Sequence, residues 1–152
     1  MGSRRKAREC ALQVLYDIEF NRTAAGRNPE LADKPSVDAA LDLVLEDYWA
    51  CVPEEGQVED EVKVFTERLV RGVIHRLDEI DRIIQRASTN WKLERMALVD
   101  RNILRLATFE LRHVAEIPPK VSLNEAIEIA KRYGSEDSSA FINGILDKIS
   151  SD

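Results

Sequence analysis

Residues 98–149 constrain the fold more than any other part of the chain. They read LVDRNILRLATFELRHVAEIPPKVSLNEAIEIAKRYGSEDSSAFINGILDKI. Apolar residues recur there every three or four positions, which is the spacing of one face of an α-helix. A long helix is predicted over about 99–114, with Ile103, Leu106, Ala107, Glu110 and Leu111 facing inward. Pro118 and Pro119 end it. Ser122 with Glu125 has the form of a capping box for the next helix, and Gly134 is the natural stop for that helix. Asp137 or Ser138 is placed to cap the last helix, whose core stripe is Ile142, Ile145, Leu146 and Ile149.

The same period runs upstream. A first helix is predicted over about 4–21, with Ala7, Ala11, Val14, Leu15 and Ile18 on one face. Residues 21–35 are rich in Gly, Pro, Asn and Asp and read as a loop. A second helix starts at Ser36 and turns Val37, Leu41, Val44, Leu45 and Tyr48 inward. An acidic linker follows over 53–60. A third helix covers about 61–77, with Val64, Phe65, Leu69, Val73 and Ile74 inward, and a short fourth covers 78–87. Residues 88–96 (STNWKLERM) form a connector that ends in about one helical turn.

No segment alternates with the two-residue period of a strand, and six glycines and five prolines are too few for a turn-rich all-β fold. The reading is therefore all-α, with about seven helices and no sheet. It is one domain over 1–152, with an N-terminal bundle over 1–78 and a C-terminal bundle over 79–152. No apolar run approaches the roughly 20 residues of a membrane span. The basic start is not followed by an unbroken apolar stretch, so no signal peptide is expected. Cys10 and Cys51 fit free thiols in a reducing cytoplasm better than a disulfide framework.

The net charge of −6 hides an asymmetry. Residues 30–61 hold eleven acids and one base, a local −10, so the rest of the chain carries +4. Arg4, Arg5, Lys6 and Arg8 cluster in the first eight residues with no acid among them. A phosphate backbone feels charges within a Debye length of roughly 8–10 Å, so the local cluster matters more than the total. Cations at a helix N-terminus oppose its dipole. Arg4, Arg5 and Arg8 occupy the exposed first turns of helix one and the tail before it, at a small local cost. The four cations read either as a solubilising tail or as a contact for phosphates.

Catalysis finds no support. His75 and His113 lie on separate helices and read as surface or helix-end residues. Cys10 and Cys51 lack metal-ligand spacing, and no phosphate-binding loop or nucleophile elbow is present. No catalytic residue, metal site or cofactor is expected. On the last helix, Phe141 falls at the edge of the apolar stripe, one turn after Asp137. Such an aromatic is either a core-boundary residue or a stacking platform for an unpaired base. Asn143-Gly144 within that helix costs roughly 1 kcal/mol at the glycine relative to alanine. Close helix approach or a shaped surface would account for it.

With these residues in view, the chain resembles the bacterial transcription antitermination factor NusB family. The resemblance covers almost the whole length: RRKARECALQVLYDIEF at the start, LVRGV at 69–73, then LERMALVDRNILRLATFEL, IPPKVSLNEAIEIAKRYG and FINGILDKI. That order of phrases recurs in the NusB-like module fused ahead of RNA cytosine methyltransferases. With the chain ending at Asp152, no methyltransferase domain is expected to follow.

The resemblance implies an all-α protein of two three-helix bundles. It implies a non-catalytic, cytoplasmic adaptor that binds the boxA element of ribosomal RNA leader transcripts. The ribosomal protein NusE joins it there, and together they help RNA polymerase resist termination. The family's arginine-rich start, which touches RNA, maps onto Arg4, Arg5, Lys6 and Arg8. GSEDSSAF matches a family segment whose Asp and Phe belong to the functional surface, which maps onto Asp137 and Phe141. Asp100 matches an acidic surface residue at the start of the fifth helix. Arg101, Ser138 and Asn143 flank these positions on the expected RNA or partner surface. Some members carry an aromatic where this chain has Ser88, and Trp91 is either its substitute or a core residue. Some relatives dimerise over their RNA face, and the sequence leaves a homodimer open. The competing readings are a helical protein-binding module with a solubilising tail, and a stand-alone accessory domain related to the methyltransferase modules.

Overall fold

The computed structural model describes residues 2–25, 34–51 and 58–151. The described residues form seven α-helices and no strand. These are α1 (Gly2–Ala25), α2 (Lys34–Cys51), α3 (Asp60–His75), α4 (Leu77–Ala87), α5 (Leu98–His113), α6 (Pro119–Tyr133) and α7 (Ser138–Ser151). A single 3₁₀ turn, Leu93–Arg95, lies before α5. The chain divides into two compact units, 1–71 and 72–152, which meet inside α3. The halves expected from sequence meet seven residues later. Much of the expected loop and acidic linker, residues 26–33 and 52–57, lies outside the described residues.

In the first unit, Ala7, Ala11, Val14 and Leu15 of α1 are buried with Leu41 and Leu45 of α2 and with Val62, Phe65 and Leu69 of α3. Alanine at positions 7 and 11 leaves room for a neighbouring backbone. The Thr66 hydroxyl on α3 lies 2.7 Å from the Val62 carbonyl and 3.3 Å from the Ala7 carbonyl of α1. The Tyr48 hydroxyl donates to Gln13 Oε1 at 3.0 Å, tying α2 to α1. One expected core residue is misplaced: Val64 is 70% exposed. The α3 stripe runs Val62, Phe65, Leu69, Val73, and Val64 stands about 200° round the helix from Val62 at 100° per residue.

In the second unit, α5 is the central helix. Every residue from 102 to 110 is buried, and α4, α6 and α7 all pack on it. Most polar residues of a helix so covered find partners within the protein. Arg105 pairs with Asp81 of α4, and Glu110 accepts the Ser122 hydroxyl of α6 at 3.0 Å.

That last bond corrects the expected capping box. The helix α6 begins at Pro119, three residues before Ser122, and its N-cap Pro118 makes no side-chain cap. Proline suits the first helical position because its φ is preset and no amide there needs a partner. Ser122 therefore sits inside the helix and turns its hydroxyl to the core. Gly134 does end α6, with an extended backbone. A Cβ there would fall 2.6 Å from Ser138 Cβ and 2.8 Å from the Ala130 carbonyl, so the chain can leave the helix this tightly only at glycine.

The α7 stripe of Ile142, Ile145, Leu146 and Ile149 is buried. Gly144 is exposed, and an added Cβ would meet nothing described within 4 Å. Close helix approach therefore does not account for the glycine. Gly144→Ala is expected to raise unfolding stability by about 1 kcal/mol through helix propensity and a less flexible unfolded chain. Chemical denaturation measures it. No gain, or a loss, would mean that the backbone there is not an ordinary helix.

Candidate nucleic-acid interface

Each unit holds its own group of candidate side chains. The first is the start of α1. Arg4, Arg5 and Lys6 are exposed, the first two as expected from the first helical turns. Arg8 is not: it is 3% exposed. Its guanidinium carbon lies 5.6 Å from the centre of the Phe65 ring, and that of Arg4 lies 4.7 Å from the same ring. Arg8 follows Ala7 and precedes Ala11 and Leu12 on the covered side of α1, so its position on the helix takes it inward. The ring gives both arginines a cation–π contact, worth about 0.5–1 kcal/mol at an exposed site and more when desolvated. Part of the basic cluster is thus held by packing, which offsets its conflict with the helix dipole.

The second group lies on the connector before α5 and the first turn of α7. Trp91 is 57% exposed. Its ring centre is 6.4 Å from that of Phe141, and the two planes stand at 88°. Phe141 is half-buried at the edge of the α7 stripe. Its amide donates to the Asp137 carbonyl at 3.1 Å, which places Asp137, exposed, one helical turn earlier on the same flank. The choice left open by sequence is resolved: Trp91 is a surface residue in contact with Phe141.

The connector is tied down by side chains. Gln85 of α4 donates its amide to the carbonyls of Ser88 at 3.2 Å and Trp91 at 3.0 Å, and its Oε1 accepts the Leu93 amide at 2.8 Å. The Ser88 hydroxyl, itself buried, donates to the same Trp91 carbonyl at 3.0 Å. From α5, Arg101 Nη1 donates to the Leu93 carbonyl at 2.9 Å. Arg101 therefore braces the loop. Gln85 escaped the sequence reading because a glutamine on a short charged helix carries no local sign of a loop partner.

The remaining expected positions divide. Asn143 is exposed on α7. Ser138 departs from expectation: it is 1% exposed, and its hydroxyl accepts the Ser135 amide at 2.8 Å. It closes the turn between α6 and α7 and offers nothing to a partner. Asp100 is 9% exposed in the first turn of α5, where the helix dipole favours a carboxylate. Its Oδ1 has no hydrogen-bond partner among the described residues. Among the described residues, no group of three His, Cys, Asp or Glu is placed to hold a metal ion.

The model of the NusB family matches residues 5–151. A transcription antitermination protein NusB of Myxococcus xanthus is 43% identical over 149 residues, covering 98% of this chain and 95% of its own length. One from Anaeromyxobacter dehalogenans is 47% identical, covering 99% and 93%. Among solved structures, T. maritima NusB superposes with a TM-score of 0.77 at 38% identity, covering 98% of this chain and 91% of its own. A structure of antitermination factors NusB and NusE in complex with double-stranded RNA gives a TM-score of 0.72 at 25% identity, covering 99% and 98%.

Proposed function

The chain belongs to the NusB family, and we propose that it is a non-catalytic RNA-binding adaptor in transcription antitermination. It binds the boxA RNA of ribosomal leader transcripts together with NusE, and the complex helps RNA polymerase resist termination. It works in the cytoplasm; none of its described helices is long and apolar enough to cross a membrane. The observation that carries the reading is the pairing of chemistries: exposed cations on the first turns of α1, and an aromatic pair beside a carboxylate at α7.

Each group has its own task. Arg4, Arg5 and Lys6 neutralise phosphates, which holds RNA without reading its sequence. Arg8 packs under them. Three neutralised phosphates on a single strand give a salt slope of about −2. Phe141 presents an apolar ring to a base, and the exposed Asp137 carboxylate accepts a hydrogen bond from a base edge or a sugar hydroxyl. Asn143 adds polar contacts on the same helix, and Asp100 and Arg101 support the surface from α5. NusE adds a second surface to the same RNA, and coupling of about 1–3 kcal/mol between the two ligands is typical.

The test is filter binding of boxA RNA and of a scrambled RNA, with and without NusE, across a salt series. Preference for boxA that strengthens with NusE is expected. Equal affinity for both RNAs under every condition would sink the reading. Arg5→Ala should weaken binding and reduce the slope by about 0.7. Phe141→Ala should cost about 1–3 kcal/mol with little change of slope. A Phe141→Ala protein that loses slope but no affinity at low salt would contradict stacking.

A further inference from the structure

Trp91 spends more than half its surface in water while its backbone is held from several directions. That combination needs a reason. An exposed indole gains little from folding, and burial against its own chain is the usual fate of so large a ring. Here Gln85, Ser88 and Arg101 all spend side-chain hydrogen bonds on the connector backbone at Ser88, Trp91 and Leu93. None of these bonds anchors the indole itself. They hold the backbone from which it projects.

We propose that Trp91 is a base-stacking residue for single-stranded RNA, and that Gln85 is the residue that positions it. The inference rests on the reading above and deepens it, by giving Trp91 and Gln85 separate roles at the same site. Two rings at 88° cannot stack on each other, so each leaves at least one π face uncovered by its neighbour. Perpendicular rings with centres 6.4 Å apart form a corner, and a planar base laid on one ring meets the other at its rim. The surroundings favour nucleic acid over a protein partner. Arg86, Lys92 and Arg95 are exposed near Trp91 in sequence, with Glu94 among them, and the exposed Glu136 and Asp137 lie at the Phe141 side of the pair. Aromatic faces interleaved with cations that follow a backbone are the pattern of single-strand binding. A pre-set ring also saves the ordering cost that a mobile loop would meet on binding.

The chain has two tryptophans, so Trp49→Phe leaves Trp91 as the only indole reporter. In that protein, titration with single-stranded boxA RNA is expected to quench the fluorescence saturably, with the midpoint found by filter binding. An abasic oligonucleotide of equal length supplies the phosphates alone and should leave the emission unquenched. Trp91→Ala should weaken RNA binding about ten-fold or more, and Trp91→Phe should restore most of it. Gln85→Ala should weaken binding less, and should lower the anisotropy of Trp91 in the free protein while the melting temperature stays near that of the parent.

Unquenched emission with RNA bound, together with unchanged affinity in Trp91→Ala, would overturn the proposal and leave the adaptor function standing. Loss of NusE binding with RNA affinity unchanged would also overturn it, by assigning the ring to a protein partner. Failure of the parent protein to bind boxA RNA at all would remove the functional reading itself, and the stacking role with it.

Discussion

Asp81→Ala is expected to lower the unfolding free energy by about 3 kcal/mol, a fall in melting temperature on the order of 10 °C for a chain of this size. Asp81 on α4 accepts Arg105 Nε at 2.8 Å and Nη2 at 3.0 Å, a two-pronged pair. The Arg105 side chain is nearly buried in the middle of α5. Its Nη1 also donates to Asn102 Oδ1 at 3.2 Å, and Asn102 in turn donates to the Leu98 carbonyl at 2.9 Å. Removing the carboxylate takes the two-pronged acceptor from a nearly buried guanidinium. The desolvation already incurred then loses that offset. Replacing both partners, as Asp81→Leu with Arg105→Met, should recover most of the loss, because the buried charge goes with its partner. Urea unfolding of the three proteins checks it. A single variant that loses under about 0.5 kcal/mol would show that water already screens the pair.

Gly72→Ala is the second large effect, and its sign runs against helix propensity. Gly72 lies inside α3, where alanine would ordinarily be better by about 1 kcal/mol. An added Cβ, however, would overlap Cζ, Cε1 and Cε2 of the Phe109 ring. Phe109 is buried on α5, so its ring can yield only by displacing its neighbours. Overpacking of this kind costs about 1–3 kcal/mol and sometimes more. With three ring carbons displaced, the net expectation is a loss of about 2–3 kcal/mol. Phe109→Leu alone should also destabilise, by leaving a cavity. The combination Gly72→Ala with Phe109→Leu should cost less than the sum, since the methyl partly fills the space the ring left. Strict additivity in that cycle would mean the two positions do not touch.

These two residues show where local reading stops. The motif LVRGV was visible as a motif, but nothing within four residues of Gly72 names the ring that requires it. Arg105 lies among apolar neighbours in a strong helical pattern, and the carboxylate that makes its burial tolerable is 24 positions away. By contrast, the α7 stripe was complete from spacing alone. So was the exposure of Arg4 and Arg5, because a residue's place on a helix follows from 3.6 residues per turn. The failures are two helix faces misassigned. Arg8 was expected outward and Val64 inward; Arg8 lies with Ala7 and Ala11 on the covered side of α1, and Val64 lies about 200° from Val62 on α3.

The candidate surface divides along the same line. Asp137 and Phe141 are one helical turn apart, so their shared flank is a local fact. The placement of Trp91 against Phe141 is not, since 50 positions separate them in a chain that must first build α5 and α6. The sequence by itself determined seven helices, their approximate ends, the family and the cations that lead α1. It could do so because periodicity, proline stops and motif order are properties of near neighbours. Only the tertiary structure decided that Arg8 packs against Phe65, that Ser122 bonds Glu110 and that Gln85 bonds the Trp91 carbonyl. Those outcomes depend on which groups from other elements arrive close together: about 3 Å for hydrogen bonds, where unpaired buried groups become costly, and under about 6 Å for a cation over a ring.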